Sequence, residues 1–226
     1  MTLLLAWITN LANPALANGQ TTHLWISETA VSHLPEGALA NLLIEENEAL
    51  RVGTMFPDGG YAVGHDYGEI AHWEPFHNLF RDWILDTFDG PADPEAAPYV
   101  AFYFGMASHG MADQVFDSMY MERSRVYDSD DGWTSDIHSL DTSQDIVFAS
   151  LTGGQSVPNF ALPTILPTLF SSMHLDVDMD IMESGQSWLE VAITGVETTS
   201  VNHNIVREHL DTFPWGCSHL LDETVP

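Results

Sequence analysis

The chain has no lysine, and its 226 residues hold only five arginines against 33 Asp and Glu, a formal net charge of −28. Affinity for nucleic acid comes largely from Lys and Arg contacts to phosphates, so a nucleic-acid partner is disfavoured. The acids are spread along the chain rather than gathered in a tail. They predict a strongly solvated surface that repels polyanions, of a kind suited to a saline medium. Cys217 is the single cysteine, so no intrachain disulfide exists, and no base stands near it in sequence to support a thiol mechanism. No Gly-x-Ser-x-Gly elbow surrounds Ser108, which argues against a serine nucleophile. No apolar run reaches the roughly 20 residues of a membrane span.

What the chain does hold is apolar and aromatic bulk. Hydrophobic residues make up 45% and aromatics 11%, which excludes a disordered chain and suits one domain with ample core. At the amino terminus, Leu3 to Ile8 forms a short apolar core and Pro14-Ala15-Leu16-Ala17 resembles a small-residue cleavage site, although the usual positive segment is missing. Residues 1–17 are therefore expected to be a signal peptide and 18–226 the mature domain, placed outside the cytoplasm, secreted or periplasmic.

The periodicity predicts an all-α, single multi-helix domain, and the ligand-type residues taken up below place a metal cluster in its core. Thr22 is expected to cap a helix from His23 to about Arg51, interrupted near Pro35-Glu36-Gly37. The glycines between 53 and 70, with Pro57, read as a loop. Further helices are expected from Trp73 to about Phe88, Tyr99 to Arg125 and Asp136 to Leu151. After the breaks at Pro163 and Pro167, helices are expected around Trp188 to Ile193 and Val201 to Phe213. Asp128 to Gly132 resembles a calcium loop but lacks the distal Glu that would close one.

The run 101–117 says most about chemistry. On an aromatic, small-residue helix stand His109, Asp113 and Asp117, at i, i+4 and i+8, nearly one face. Buried carboxylates are costly unless paired or metal-bound, so a multi-metal site accounts for them better than a core His flanked by exposed acids. Other segments carry the same residue types: Thr22-His23-Leu24-Trp25-Ile26, Phe56-Pro57-Asp58, His72-Trp73-Glu74-Pro75-Phe76, and His138 followed by Asp141 and Asp145.

In that order, from residue 18 to about 150, these motifs resemble the zinc-dependent phospholipase C superfamily. That superfamily includes bacterial phospholipases C and the catalytic domain of glycosylphosphatidylinositol-specific phospholipase D, and more distantly the single-strand nucleases. The resemblance implies a hydrolase of phospholipid or other phosphodiester substrates, holding two or three zinc ions and touching membranes only peripherally. It implies that Asp58, His72 and His109 surround one metal and that Asp113 bridges two others. His23 with the amine of Asn18 would hold a second ion, and His138 with an acid one turn on a third. Asp58 is also the position from which a carboxylate can orient or deprotonate the attacking water.

Two departures stand out: Asp117 occupies a position where the resembling enzymes usually carry His, and Thr142 fills i+4 from His138. Asp141 is the narrowly favoured ligand there, with Asp145 the alternative. A two-metal variant, a nuclease-like phosphodiesterase and a non-catalytic metal-binding module are the rival readings. His65, Asp66 and Glu69 either line a substrate cleft or form a solvated loop. His77 reads as a surface residue, and Trp25, Trp73 and Phe76 as core. His33, His174, His203, His209 and His219 carry no pattern.

Overall fold

The computed structural model describes residues 19–91, 93–129 and 140–219. Among the described residues the chain is mostly helical, with no strand. The helices are α1 (Gln20–Ser32), α2 (Ala38–Glu45), α3 (Asn47–Ala62), α4 (Tyr67–Ala71), α5 (Glu74–Thr87) and α6 (Ala97–Val115). A π-helical segment, Phe116–Met121, joins α6 to α7 (Glu122–Asp128). Then come α8 (Leu140–Thr152), α9 (Leu166–Ser172), α10 (Met179–Ser200), α11 (His203–Thr212) and α12 (Pro214–Ser218). No helix among the described residues is long and apolar enough to cross a membrane.

The centre of the domain is α3, and here the sequence expectation fails. The segment expected to loop after residue 53 is helix to Ala62, with Pro57 inside it. Every residue from Ala49 to Gly60 is buried, so this helix is enclosed on all sides. Its glycines are there for close approach, not for turning. A Cβ on Gly53 would lie 2.1 Å from the Phe102 carbonyl oxygen, and one on Gly105 would lie 2.1 Å from that of Leu50. With both side chains absent, α3 and α6 meet backbone to backbone, and that contact sets the spacing of the functional site.

Phe56 and Val52 of α3, Phe76 and Phe80 of α5, Phe102 and Met106 of α6 and Phe170 of α9 make the main core. Phe76 stacks on Phe170 with ring centroids 4.2 Å apart. A second cluster around Phe116, Leu140, Val147, Phe213 and Cys217 ties α8 to α11 and α12.

Helix α1 starts at Gln20, earlier than Thr22 predicts, with Gly19 at its N-cap. A glycine offers no capping oxygen, and a carboxylate from elsewhere does the work. Asp145 of α8 accepts from the Thr21 amide (3.1 Å), the Thr22 amide (2.7 Å) and the Thr22 hydroxyl (2.8 Å). Two aromatic-region expectations also change. Trp73 is exposed, and His77 is buried with Nε2 2.8 Å from the Ala71 carbonyl oxygen.

Candidate metal centre

Four helices bring five side chains to one buried point. Asp58 comes from α3, His23 from the first turn of α1, and His109 and Asp113 from the inner face of α6. His72 sits at the C-cap of α4, and Gly110 admits it: a Cβ there would lie 2.4 Å from the His72 carbonyl oxygen. All five are buried.

Both Asp113 oxygens face imidazoles: Oδ1 is 3.0 Å from His23 Nε2, and Oδ2 is 3.2 Å from Nε2 of both His72 and His109. Asp58 Oδ1 lies 3.5 Å from His72 Nε2 and 3.6 Å from His109 Nε2. His72 and His109 bring their Nε2 atoms within 3.0 Å of each other.

The second ring nitrogens explain why these atoms need a cation. His72 Nδ1 lies 2.6 Å from the Gly68 carbonyl oxygen, and His109 Nδ1 lies 2.7 Å from that of Thr54. A carbonyl only accepts, so each Nδ1 carries a hydrogen, and each ring, when neutral, turns an Nε2 lone pair inward. In that state two lone pairs and two carboxylates converge on one buried point, an arrangement that a cation would satisfy. Several of the converging atoms, namely His23 Nε2, Asp58 Oδ1 and Asp113 Oδ1, are buried without a hydrogen-bond partner. Nitrogen and oxygen donors in this mixture fit zinc.

The donor atoms fall into two sets, Asp58/His72/His109 and His23/His109/Asp113. His109 appears in both, but with Nδ1 committed to Thr54 it has one lone pair to give. Asp113 turns Oδ1 to His23 and Oδ2 to His72 and His109, so it alone of the five offers one oxygen to each set.

Electrostatics tell the same story in protons. Burial opposes a charge on His109, but Asp113 and Asp58 outweigh it and push its pKa up to about 10. Burial likewise disfavours the charged forms of Asp58 and Asp113. The imidazoles prevail, holding Asp58 at about 2 and Asp113 well below the usual carboxylate range. Without a metal, this cluster keeps a proton as its cation.

Among the described residues, the other expected ligands, Asp117 and Asp141, fall outside these two donor sets. Asn18 and His138 lie outside the described residues. Asp117 is exposed in the first turn of the π-helical segment, where the change of helical period shifts it out of strict register with Asp113. Its carboxyl is pushed up to about 6 by desolvation and by Asp113. Asp141 is buried on α8 and is pushed up to about 7, first by burial and further by Asp58 and Asp145. Asp145 is committed to the α1 amides.

Glu69, expected in a loop but found in α4, accepts from Tyr61 and, at 2.8 Å, from Trp73 Nε1, and both rings lie beside His72. His65 packs on Tyr67, with ring centroids 5.7 Å apart. Sequence reasoning missed Gln20, which donates to Asp58 Oδ2 from one turn before His23. Its i−3 spacing from His23 was the available signal.

Residues 22–116 match the family model described as zinc dependent phospholipase C. Over that segment the chain is similar to the zinc dependent phospholipase C family. Among its relatives, phosphatidylinositol-glycan-specific phospholipase D of Bos taurus is 33% identical over 115 residues, covering 46% of this chain and 14% of the relative. The Homo sapiens protein of that name is 32% identical over 115 residues, with the same coverage. The Dictyostelium discoideum protein is 29% identical over 100 residues, covering 42% of this chain and 10% of that one. The chain thus aligns with about one seventh of the length of the mammalian relatives. No solved structure matches it.

Proposed function

We propose that the protein is a zinc-dependent phosphodiester hydrolase of phospholipase C type, acting on phospholipid headgroups. One observation carries the reading: the bare Nε2 atoms of His72 and His109, 3.0 Å apart, converge with Asp58 and Asp113 in a buried site. Asp58, His72, His109 and one Asp113 oxygen would hold one ion. His23 with the other Asp113 oxygen would hold a second, completed by the amine of Asn18 if cleavage exposes it. A third ion would rest on His138 and Asp141; Asp141 is the better choice because the α1 amides already occupy Asp145. Asp117 stands near enough to feel the charge of Asp113 and is proposed as an outer ligand.

When bound, zinc supplies the Lewis acidity that neutralises phosphoryl charge and eases deprotonation of water, which an Arg-poor site otherwise lacks. The chain's own residues do the rest. Asp58, ionised far below neutral pH and presenting Oδ1 inward, would help hold the ion and orient the attacking water. The Gly68 and Thr54 carbonyls keep His72 and His109 in the ligating tautomer. Glu69, Tyr61 and Trp73 stand beside His72, where a headgroup would enter.

The formal charge of −28 with no lysine weighs against the nuclease reading. Leu3–Ile8 and Pro14–Ala17 support export. The test is elemental analysis beside a phospholipid-product assay. Zinc with product formation supports the enzyme, zinc without turnover supports a binding module, and no zinc refutes both.

A further inference from the structure

Gln20 is a residue that neither the family motifs nor the metal ligation uses, yet it is 4% exposed and reaches into the site. Its Nε2 donates to Asp58 Oδ2, across 38 positions of sequence. We infer that Gln20 is a positioning residue for Asp58, fixing which carboxylate oxygen faces the metal ions. The inference rests on the metal reading proposed above.

A carboxylate's terminal torsion is broad and nearly two-fold, so nothing intrinsic to Asp58 distinguishes its two oxygens. A donor held on Oδ2 makes the distinction. Oδ1 alone is left facing His72 and His109 Nε2, at 3.5 and 3.6 Å, and it has no hydrogen-bond partner. With Oδ2 occupied, Asp58 is held to one-oxygen coordination and cannot swing to grip an ion with both.

Gln20 can impose this because it is anchored independently of Asp58. It sits in the first turn of α1, whose Thr21 and Thr22 amides are fixed by Asp145 from α8. Gly19 presses so closely on that carboxylate that a Cβ there would lie 2.1 Å from Asp145 Cγ. The chain of contacts therefore runs from α8 through α1 to α3. The amide orientation follows from chemistry, since Gln20 Oε1 against Asp58 Oδ2 would oppose two acceptors. That orientation leaves Oε1 buried with no partner. An apolar side chain of equal length would avoid the orphan acceptor, so simple packing does not account for an amide here.

The experiment is a cobalt(II) titration of the metal-stripped protein and of Gln20→Met, which keeps length and volume but removes the donor. Visible absorption of cobalt reports coordination geometry independently of turnover. Gln20→Met should bind cobalt about ten- to a hundred-fold more weakly, with an altered spectrum, as loss of a group behind a ligand does elsewhere. In the zinc enzyme, kcat should fall while KM holds. In an Asp58→Asn background the same change should alter affinity by less than about two-fold, because the two residues act as one unit.

Should Gln20→Met fail to fold, Gln20→Asn carries the same expectation, since its amide is too short to reach Asp58. A variant with wild-type affinity and spectrum, lowered only in melting temperature, would overturn the positioning role. Wild-type protein that takes up no cobalt would overturn the metal reading beneath it as well.

Discussion

Loading the metal-stripped protein with zinc should expel protons, and the structure sets how many and at what cost. His109 is the decisive group, raised to about 10 by Asp113 and Asp58 against the opposing effect of burial. At pH 7.5 it is therefore charged in the metal-free protein, and its Nε2 must lose a proton before it can ligate. A gap of about 2.5 pH units corresponds to roughly 3 kcal/mol of competition. Apparent zinc affinity should rise about tenfold per pH unit from neutrality towards 10, and His72, also raised, adds to the dependence.

The stability signs follow from the same shift. A folded pKa above the unfolded value of about 6.5 stabilises the metal-free protein fully below that value. This contribution is lost as pH rises towards 10, so the metal-free melting temperature should fall across pH 7 to 10. The zinc-loaded form should behave oppositely and weaken as pH drops and imidazoles protonate. Calorimetric zinc titrations at pH 7.5 in buffers of differing ionisation enthalpy measure the released protons directly, and about one or more per chain is expected. Tight zinc binding with no proton release would show that zinc sits elsewhere and would refute the argument.

Other expectations address single residues. Gly105→Ala drives a Cβ into the Leu50 carbonyl and the Thr54 amide, so it should cost about 3 kcal/mol in denaturant unfolding and lower zinc occupancy with it. Asp141 carries a pKa of about 7 in place of about 4, so its buried charge destabilises the metal-free protein as pH rises through that window. Asp141→Asn should therefore raise the metal-free melting temperature above pH 7 while reducing bound zinc, both readable by calorimetry and elemental analysis. Asp113→Asn should lose at least one ion and orders of magnitude in rate, whereas His33→Ala, at an exposed residue far from the cluster, should change neither. Asp117→His should hold or raise zinc content; if it proves as silent as Asp117→Ala, the outer-ligand assignment fails.

The all-α class and the face carrying His109 and Asp113 were legible because both follow from helical period. Asp58 and His72 were legible as motif residues, but their local structure was not. Pro57 and the glycines near it signal a turn in most contexts. Here burial on every side outweighs that signal, and Gly53 and Gly105 serve a backbone contact that no single-chain periodicity reveals. The same limit hid the Asp145 cap, which acts across 123 and 124 positions of sequence. His77 read as a surface group because a lone polar residue beside Trp73 carries no sign of burial, yet the Ala71 carbonyl satisfies it inside. The drift at Asp117 came from a change of helical period at Phe116, which an i+8 extrapolation cannot foresee.

The central claim is that His23, Asp58, His72, His109 and Asp113 bind zinc and that this zinc cleaves phospholipid. The most direct measurement is zinc content per chain, taken with phospholipid product formation on the same purified sample, before and after chelation and after zinc is returned. Two or three zinc ions per chain are predicted, with product formation that disappears on chelation and recovers on reloading. A protein that purifies without zinc and takes up none, or that cleaves phospholipid equally well once verified metal-free, would contradict the account.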